Sequence, residues 1–420
     1  MDFACSPRVE ELHARLENFL LEHVVPRDAD WHRQVEAGGY PPDFTEALKA
    51  RARTEGLWNL FLPGLRDDEP GTRCSNLEYA PLAELMGRIP WSSELFNCSS
   101  PDTGNMELLH LAASESQRDR WLFPLLRGEI RSAFCMSEPE VASSDATNIR
   151  TSIRREGDEY LIDGRKWFIS GALHPACRLL VVMGITNPEA EPHRRQSLVL
   201  VPRDAPGVRM VRNIPVLQHR SPEGHCEIAF EGVRVPVHQR LGAEGTGFAL
   251  AQARLGPGRV HHCMRSIGQC EVALELMIER ALARSAFGRL LADHGSVRER
   301  IALSRNEIDQ ARLLVLHAAW LMDQHGNEAA RSAVAQIKVV VARLHTTVLD
   351  RAIQLFGAMG LAPDTPLAAL FTWGRALRFA DGPDEVHLRS VARDAIRRQR
   401  ARGPGRILPH WSRISAGLDT

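Results

Sequence analysis

Two turns and two glycine-punctuated segments of this 420-residue chain combine side chains that could do chemistry. The first turn is Ser137-Glu138-Pro139-Glu140-Val141-Ala142-Ser143-Ser144-Asp145. Its small hydroxyl side chains and free backbone N–H groups could wrap a polar ligand, above all phosphate or sugar-alcohol oxygens. Lys166-Trp167-Phe168-Ile169-Ser170-Gly171 follows and sets large aromatics beside a hydroxyl. That combination suits a flat ring stacked on one face and hydrogen-bonded at its edge. The same residues also describe an ordinary hairpin around a buried tryptophan.

The second turn is Phe379-Ala380-Asp381-Gly382-Pro383-Asp384-Glu385-Val386-His387. An acid in a Gly/Pro turn between two helices can be aimed into a cleft. The apolar helix before it is expected to desolvate the carboxyl, raise its pKa and make it a better base near neutrality. The competing reading is capping, with Asp381 or Asp384 at the N-cap of the last helix.

Arg284-Ser285-Ala286-Phe287-Gly288 offers an arginine suited to pyrophosphate, because its fork is planar and always charged. It reads equally as a helix C-terminus with Gly288 at C′. Gln354-Leu355-Phe356-Gly357-Ala358-Met359-Gly360 permits close backbone approach to a ligand, or simply stops a helix. Gly256-Pro257-Gly258-Arg259 leads into His261-His262-Cys263. Adjacent helical residues point about 100° apart, and no carboxylate is suitably spaced. These histidines are therefore expected in a core or interface, and no metal site is expected. The glycine runs do not form G-x-G-x-x-G after a strand, so a Rossmann site is not supported.

These segments need elements to position them. Residues 1–130 carry helical periodicity: Val9, Leu12, Leu16, Phe19 and Leu20 share a face that Pro26 should end, with further helices over 44–52, 79–86, 101–111 and 117–126. Residues 131–240 switch to short strands, with Asp163-Gly164 expected as a hairpin turn and a small barrel or sandwich as the product. Residues 241–400 return to long helices of a four-helix-type bundle, and 401–420 read as a tail. The fold class is α+β: helical, then β, then helical.

Composition agrees with a soluble globular protein: hydrophobic 44%, charged 25%, formal net charge zero. No overall field attracts nucleic acid or an anionic membrane. A basic run through Arg393, Arg397, Arg398, Arg400, Arg402 and Arg406 could suit a phosphate backbone, or be a solvated face. The eight cysteines form no C-x-x-C pair. Reduced thiols, no secretory signal and no membrane span point to the cytoplasm.

Met136-Ser137-Glu138-Pro139 with Ser144-Asp145, then Phe168-Ile169-Ser170, resembles the middle domain of the acyl-CoA dehydrogenase superfamily, nearest the branch of family members ten and eleven. The helix–β–helix order is that family's domain order. The resemblance implies FAD and a long or modified acyl-CoA substrate. It implies Asp381 as the catalytic base, an Asp where the family commonly has Glu. It implies cofactor contacts from Phe134, Met136, Ser137, Ser144, Phe168, Ile169, Ser170, Pro383 and Glu385. Further contacts, from Arg284, Phe287, Gln354, Gly357 and Ala358, would reach the flavin of a neighbouring subunit or its adenosine end. Ser144, Arg259 and Gly382 would meet the substrate. His294-Gly295 stands where the family often has Gln. An electron-transfer flavoprotein is the implied acceptor, and a homodimer or homotetramer the implied assembly. A flavin oxidase on the same fold (acyl-CoA oxidase or nitroalkane oxidase) and a non-catalytic nucleic-acid-binding protein with this fold are the alternatives.

Overall fold

The structure is a computed structural model and describes residues 6–403. Ser6 caps helix α1 (Pro7–Phe19), with Pro7 at the first helical position. The chain does not stop at Pro26. It passes through a wide turn (Leu20–Val24) and a tight one (Val25–Arg27) into α2 (Asp28–Glu36). Proline fits here because it falls in the first positions of the tight turn, where no N–H is needed. Helices α3 (Thr45–Thr54), α4 (Asn76–Gly87) and α5 (Asp102–Ala112) follow, then a broken helical stretch from Glu115 to Leu126.

The middle region forms one sheet. Strands β1 (Arg131–Cys135), β2 (Ser152–Glu156), β3 (Glu159–Ser170), β4 (Cys177–Ile185), β5 (Gln196–Pro202), β6 (Val208–Asn213), β7 (His225–Pro236) and β8 (Arg240–Leu241) run in the order β6-β7-β3-β2-β4-β5-β8, with β1 parallel to β4. The strands form one continuous path with β6 and β8 at its ends, but β2 and β4 meet only at Ser152 and Ile185, so its two halves face each other as in the expected sandwich. Its two halves share one core of Ile162, Phe230 and Val233 with Leu180, Val182 and Val201. The other face of β4, Leu179, Val181 and Met183, joins the helical core. A strand covered on both faces reads as a continuous apolar run rather than an alternation.

One turn expectation fails. The β2–β3 hairpin turns at Gly157-Asp158, and Asp163-Gly164 lies inside β3. Gly164 is there for close approach: a Cβ would fall 2.5 Å from the Thr151 Oγ1. The apolar stretches 225–230 and 233–237 likewise merge into the single strand β7. Strand β2 begins at Ser152, behind a tight turn at Ala146–Asn148.

Helix α6 (Gly247–Ala283) is followed by a helix over Gly295–Phe356, kinked at Gly326 (φ 78°), which we call α7. Helices α8 (Leu367–Leu377) and α9 (Asp384–Arg402) complete the described chain. The residues of the expected tail beyond 403, and Arg406 with them, lie outside the described residues. Helices α4 and α6 cross almost backbone to backbone. A Cβ on Gly268 would stand 1.9 Å from the Glu84 carbonyl, and one on Gly87 2.2 Å from that of Arg265. Asp323 of α7 accepts from the N–H groups of Asn76 and Leu77 and so caps α4 from another domain. Among the described residues no helix is long and apolar enough to cross a membrane. In the basic C-terminal run, Arg397 and Arg398 are paired with Asp394.

Candidate active site

Between α8 and α9, Asp381 and Gly382 take φ of 55° and 105°. A left-handed aspartate is strained by about 1–3 kcal/mol and persists only where its surroundings hold it. Arg259 Nε donates to the Asp381 carbonyl at 2.9 Å, and His387 Nε2 donates to the same oxygen at 3.2 Å. The carboxylate is 19% exposed, with Oδ2 3.4 Å from His262 Nε2. It also faces Gly258, whose absent side chain would otherwise touch Oδ2.

The capping alternative fails. Pro383 occupies the N-cap of α9 and no side chain caps it. Asp384 is buried, and its Oδ2 accepts from Arg378 at 2.8 and 3.0 Å and from Arg343 at 3.2 Å. It is a fastener of the turn. Glu385 is exposed on the first turn of α9, and Pro383 is half-buried.

Burial pushes the Asp381 carboxyl upward, as expected, but does not win. His262, Arg254, Lys338 and Arg259 surround it and hold it below the usual carboxylate range. The expectation of a raised pKa is therefore corrected: the helix before the turn is apolar, but the helices opposite it are cationic. His262 itself is pushed down to about 4 by burial, so it is a neutral ring near pH 7. Arg254, Arg259 and Lys338, the last itself lowered by burial, favour the ionised form of Asp381. Arg254 also lies over the Phe134 ring, 4.2 Å from its centroid, and donates to Asn105 Oδ1 at 2.8 Å. It links the Asp381 turn to β1.

A cavity of about 340 Å³ lies between α5 and α6, lined by Leu62, Glu107, Leu108, Arg254, Pro257 and Met322. Burial pushes the Glu107 carboxyl up to about 8, and its Oε2 has no partner in the chain.

The Ser137–Asp145 loop and the end of β3 meet. Trp167 N–H donates to the Ser137 carbonyl at 3.0 Å, and Lys166 Nζ to that of Met136 at 2.9 Å. Glu138 is buried, accepting from Lys166 Nζ, Thr151 N–H, Thr151 Oγ1 and Arg150 N–H at 2.6–2.9 Å. Phe168 has φ 51° and a 45% exposed ring. A bulky residue at positive φ is an outlier, held here by a break in the β3–β7 register between Lys166 and Ile169. Ile169 points into the core, so it shapes the strand rather than the open surface. Ser170 Oγ lies 3.0 Å from His225 Nδ1. Phe134, Met136 and Ser137 are half-buried, and Ser144 is exposed.

A second group of expected cofactor residues sits elsewhere. Helix α6 ends at Ala283, and Phe287-Gly288 (φ 51° and 80°) turn a short hairpin of Ser285–Ala286 with Arg289–Leu290. Gly288 is thus a hairpin glycine rather than a helix C′. Phe287 is 99% exposed. His294, in place of the family's Gln, lies with Nε2 3.1 Å from the Ala286 carbonyl and braces the hairpin. Gln354, Gly357 and Ala358 are exposed at the end of α7. Arg280 over the Phe356 ring joins the two segments at one end of the helices. Among the described residues no hydrogen bond or ion pair connects this group to the Ser137–Asp145 loop or to Asp381.

His261 is in the core between Tyr79 and Phe61, as expected, whereas His262 faces Asp381 and departs from that expectation. Arg254, Lys338 and Glu107 also went unread. For Arg254 and His262 the spacing of 254, 258 and 262 along one helical face was the available signal, while Lys338 and Glu107 lie on other helices and share no such spacing.

Residues 6–129, 133–233 and 245–396 match the models of the acyl-CoA dehydrogenase N-terminal, middle and C-terminal domains. Over 410 residues the chain is 55% identical to "Probable acyl-CoA dehydrogenase FadE2" of Mycobacterium tuberculosis, covering 96% of this chain and 98% of that protein. It is 51% identical to acyl-CoA dehydrogenase family member 10 of Mus musculus, covering 94% of this chain but 37% of the mouse protein. A solved Mycobacterium abscessus structure, described as a candidate acyl-CoA dehydrogenase, superposes with TM-score 0.90 at 49% identity, over 94% of this chain and 99% of that one. The chain belongs to the acyl-CoA dehydrogenase family of FAD-dependent oxidoreductases.

Proposed function

We propose that Asp381 is the base that removes the α-proton of an acyl-CoA thioester, leading to a trans-2-enoyl-CoA, in acyl-CoA breakdown. One observation carries this reading. Asp381 is an ionised carboxylate in a pinned left-handed turn whose side chain has one polar partner among the described residues, a neutral imidazole at 3.4 Å. It has free lone pairs, so it can accept a proton. Its lowered pKa makes it a modest base, and orientation must make up the difference. The Asp381 backbone N–H, which makes no hydrogen bond among the described residues, suits the thioester carbonyl as charge develops there, with Gly382 flanking it; the Gly382 N–H itself already donates to the Phe379 carbonyl at 3.2 Å. The cavity lined by Leu62, Leu108 and Met322 is the right size and polarity to take acyl carbons.

The chain's own residues fit FAD. The Ser137 and Ser144 hydroxyls make no bond within the described chain, and the Phe168 ring stands open beside them. FAD when bound supplies the hydride-accepting ring. Phe134, Met136, Ser170, Pro383 and Glu385 would flank it. Arg284, Phe287, Gln354, Gly357 and Ala358 would hold the FAD of a neighbouring copy, which supports a homodimer or homotetramer. Arg259 serves the substrate side by fixing the backbone of the base. Domain limits at 130 and 240, an electron-transfer flavoprotein as acceptor, and a cytoplasmic setting consistent with the seven free buried cysteines among the described residues complete the proposal.

The test is anaerobic flavin bleaching with a panel of acyl-CoAs. Bleaching by at least one member is expected, and none with any member sinks the reading. Oxygen consumption by the reduced enzyme separates the oxidase alternative, which the Asp at position 381 keeps open.

A further inference from the structure

Asp381 is one methylene shorter than glutamate and reaches few partners. On α6, Arg259, His262 and Arg265 are successive i, i+3 neighbours. Arg259 holds the backbone of Asp381, and His262 Nε2 stands 3.4 Å from its carboxylate. Behind the imidazole, Arg265 Nη2 lies 3.4 Å from Nδ1, while Arg265 Nη1 donates to the Cys98 carbonyl at 3.3 Å. A guanidinium can only donate. Nδ1 is therefore the acceptor, and the single proton of the neutral ring sits on Nε2, toward Asp381. The tautomer is assigned from this network.

We infer that His262 is a positioning residue for the reaction: its Nε2–H holds the Asp381 carboxylate toward the substrate side, and Arg265 fixes the tautomer that allows it. The inference rests on Asp381 being the base. An aspartate χ1 has three staggered wells, and the backbone contacts of Arg259 and His387 do not choose among them. His262 does. The 3.4 Å separation is long for a hydrogen bond, as catalytic contacts often are before a ligand is bound. The charged and titratable groups facing the carboxylate are Arg254, Arg259 and His262 from α6, Lys338 from α7, and His387 from α9.

The experiment compares His262→Ala, His262→Gln and Asp381→Asn in the FAD-loaded protein, by stopped-flow anaerobic reduction and by the pH profile of kcat/KM. Loss of a donor to the carboxylate stabilises its protonated form. His262→Ala should slow reduction about tenfold with KM within twofold, and move the acid limb up by about one pH unit. His262→Gln, which keeps an amide donor, should restore both. Flavin content identical to the wild type shows that the variants are folded. His262→Ala reducing at the wild-type rate, or slow with its acid limb unmoved, overturns the inference while leaving Asp381 as the base. Asp381→Asn that still reduces at the wild-type rate overturns both.

Discussion

The Ser137–Asp145 loop and the Asp381 turn each hold a carboxylate away from bulk water beside cations, and they use it in opposite ways. Glu138 is 2% exposed and accepts four hydrogen bonds, from Lys166, Thr151 and Arg150. Every lone pair is committed. Asp381 has more positive charge around it, from Arg254, Lys338 and Arg259 against Lys166 alone, but its side chain has one polar partner among the described residues, a neutral ring. A saturated acid fixes a loop, whereas an unsaturated one can take up a proton. The difference lies in partner count, and on the proposed reading it separates a structural acid from a chemical one within one molecule.

Exchanging carboxylate for amide at each position should break the comparison if it is wrong. Asp381→Asn should lower the anaerobic reduction rate by about 10³-fold, in the range that positioned bases contribute, with FAD content and melting temperature kept. Wild-type reduction in that variant, measured by stopped flow, returns Asp381 to a merely structural role. The next largest effect should come from Lys166→Met. It strands Glu138 as an uncompensated buried charge, which costs about 3–5 kcal/mol of stability. Denaturant unfolding reads this out, and a loss below 1 kcal/mol would count against the pair as the loop's anchor. The pair also has a pH signature. Lys166 and the hydrogen bonds of Thr151 and Arg150 depress Glu138 despite its burial. Its contribution is therefore complete above the unfolded value of about 4.3 and is lost as pH falls through the lower folded one. Stability of Lys166→Met should accordingly fall less steeply than wild type below pH 4.

The two groups of residues proposed for the cofactor make a second contrast. Residues of the Ser137–Asp145 loop and β3 are tied together within one chain, while Arg284, Phe287, Gln354 and Gly357 are exposed at the far end of α6 and α7. Arg284→Ala should leave the chain's own unfolding within about 0.5 kcal/mol yet weaken FAD retention about tenfold, the order of one charge-assisted contact. Equal FAD affinity in the variant, by fluorescence titration, removes Arg284 from the cofactor. A monomer by light scattering removes the reach between copies.

How much of this was legible follows from where each signal lies. Helices of 1–130 and 241–400 declared themselves by period, since Val9, Leu12 and Leu16 lie on one buried face. Asp163-Gly164 misled because a glycine placed for close approach looks like one placed for a turn; only the neighbour Thr151 distinguishes them. The Asp381 turn was readable from its composition. Its electrostatics were not, because Arg254 and Lys338 come from helices distant in sequence, and one strand of sequence carries no record of that approach. For the same reason His262 read as core until its partner, more than a hundred residues away, was placed beside it.

The smallest effect tests the turn itself. Asp384 and Glu385 adjoin on the first turn of α9, but the turn divides them: Asp384 is 4% exposed and bound by two arginines, and Glu385 is exposed. Glu385→Ala removes an acid from a helix N-terminus, where the dipole contribution is about 0.3–1 kcal/mol. If Glu385 also touches FAD, the loss is one exposed hydrogen bond, about 1 kcal/mol, or roughly fivefold in FAD affinity. The two contributions separate because the dipole term lowers the stability of the apoprotein and the contact does not. Fivefold weaker FAD binding beyond any apoprotein destabilisation is the expected outcome. Unchanged FAD affinity would confine the cofactor face of this turn to Pro383 and leave Glu385 a solvated helix residue.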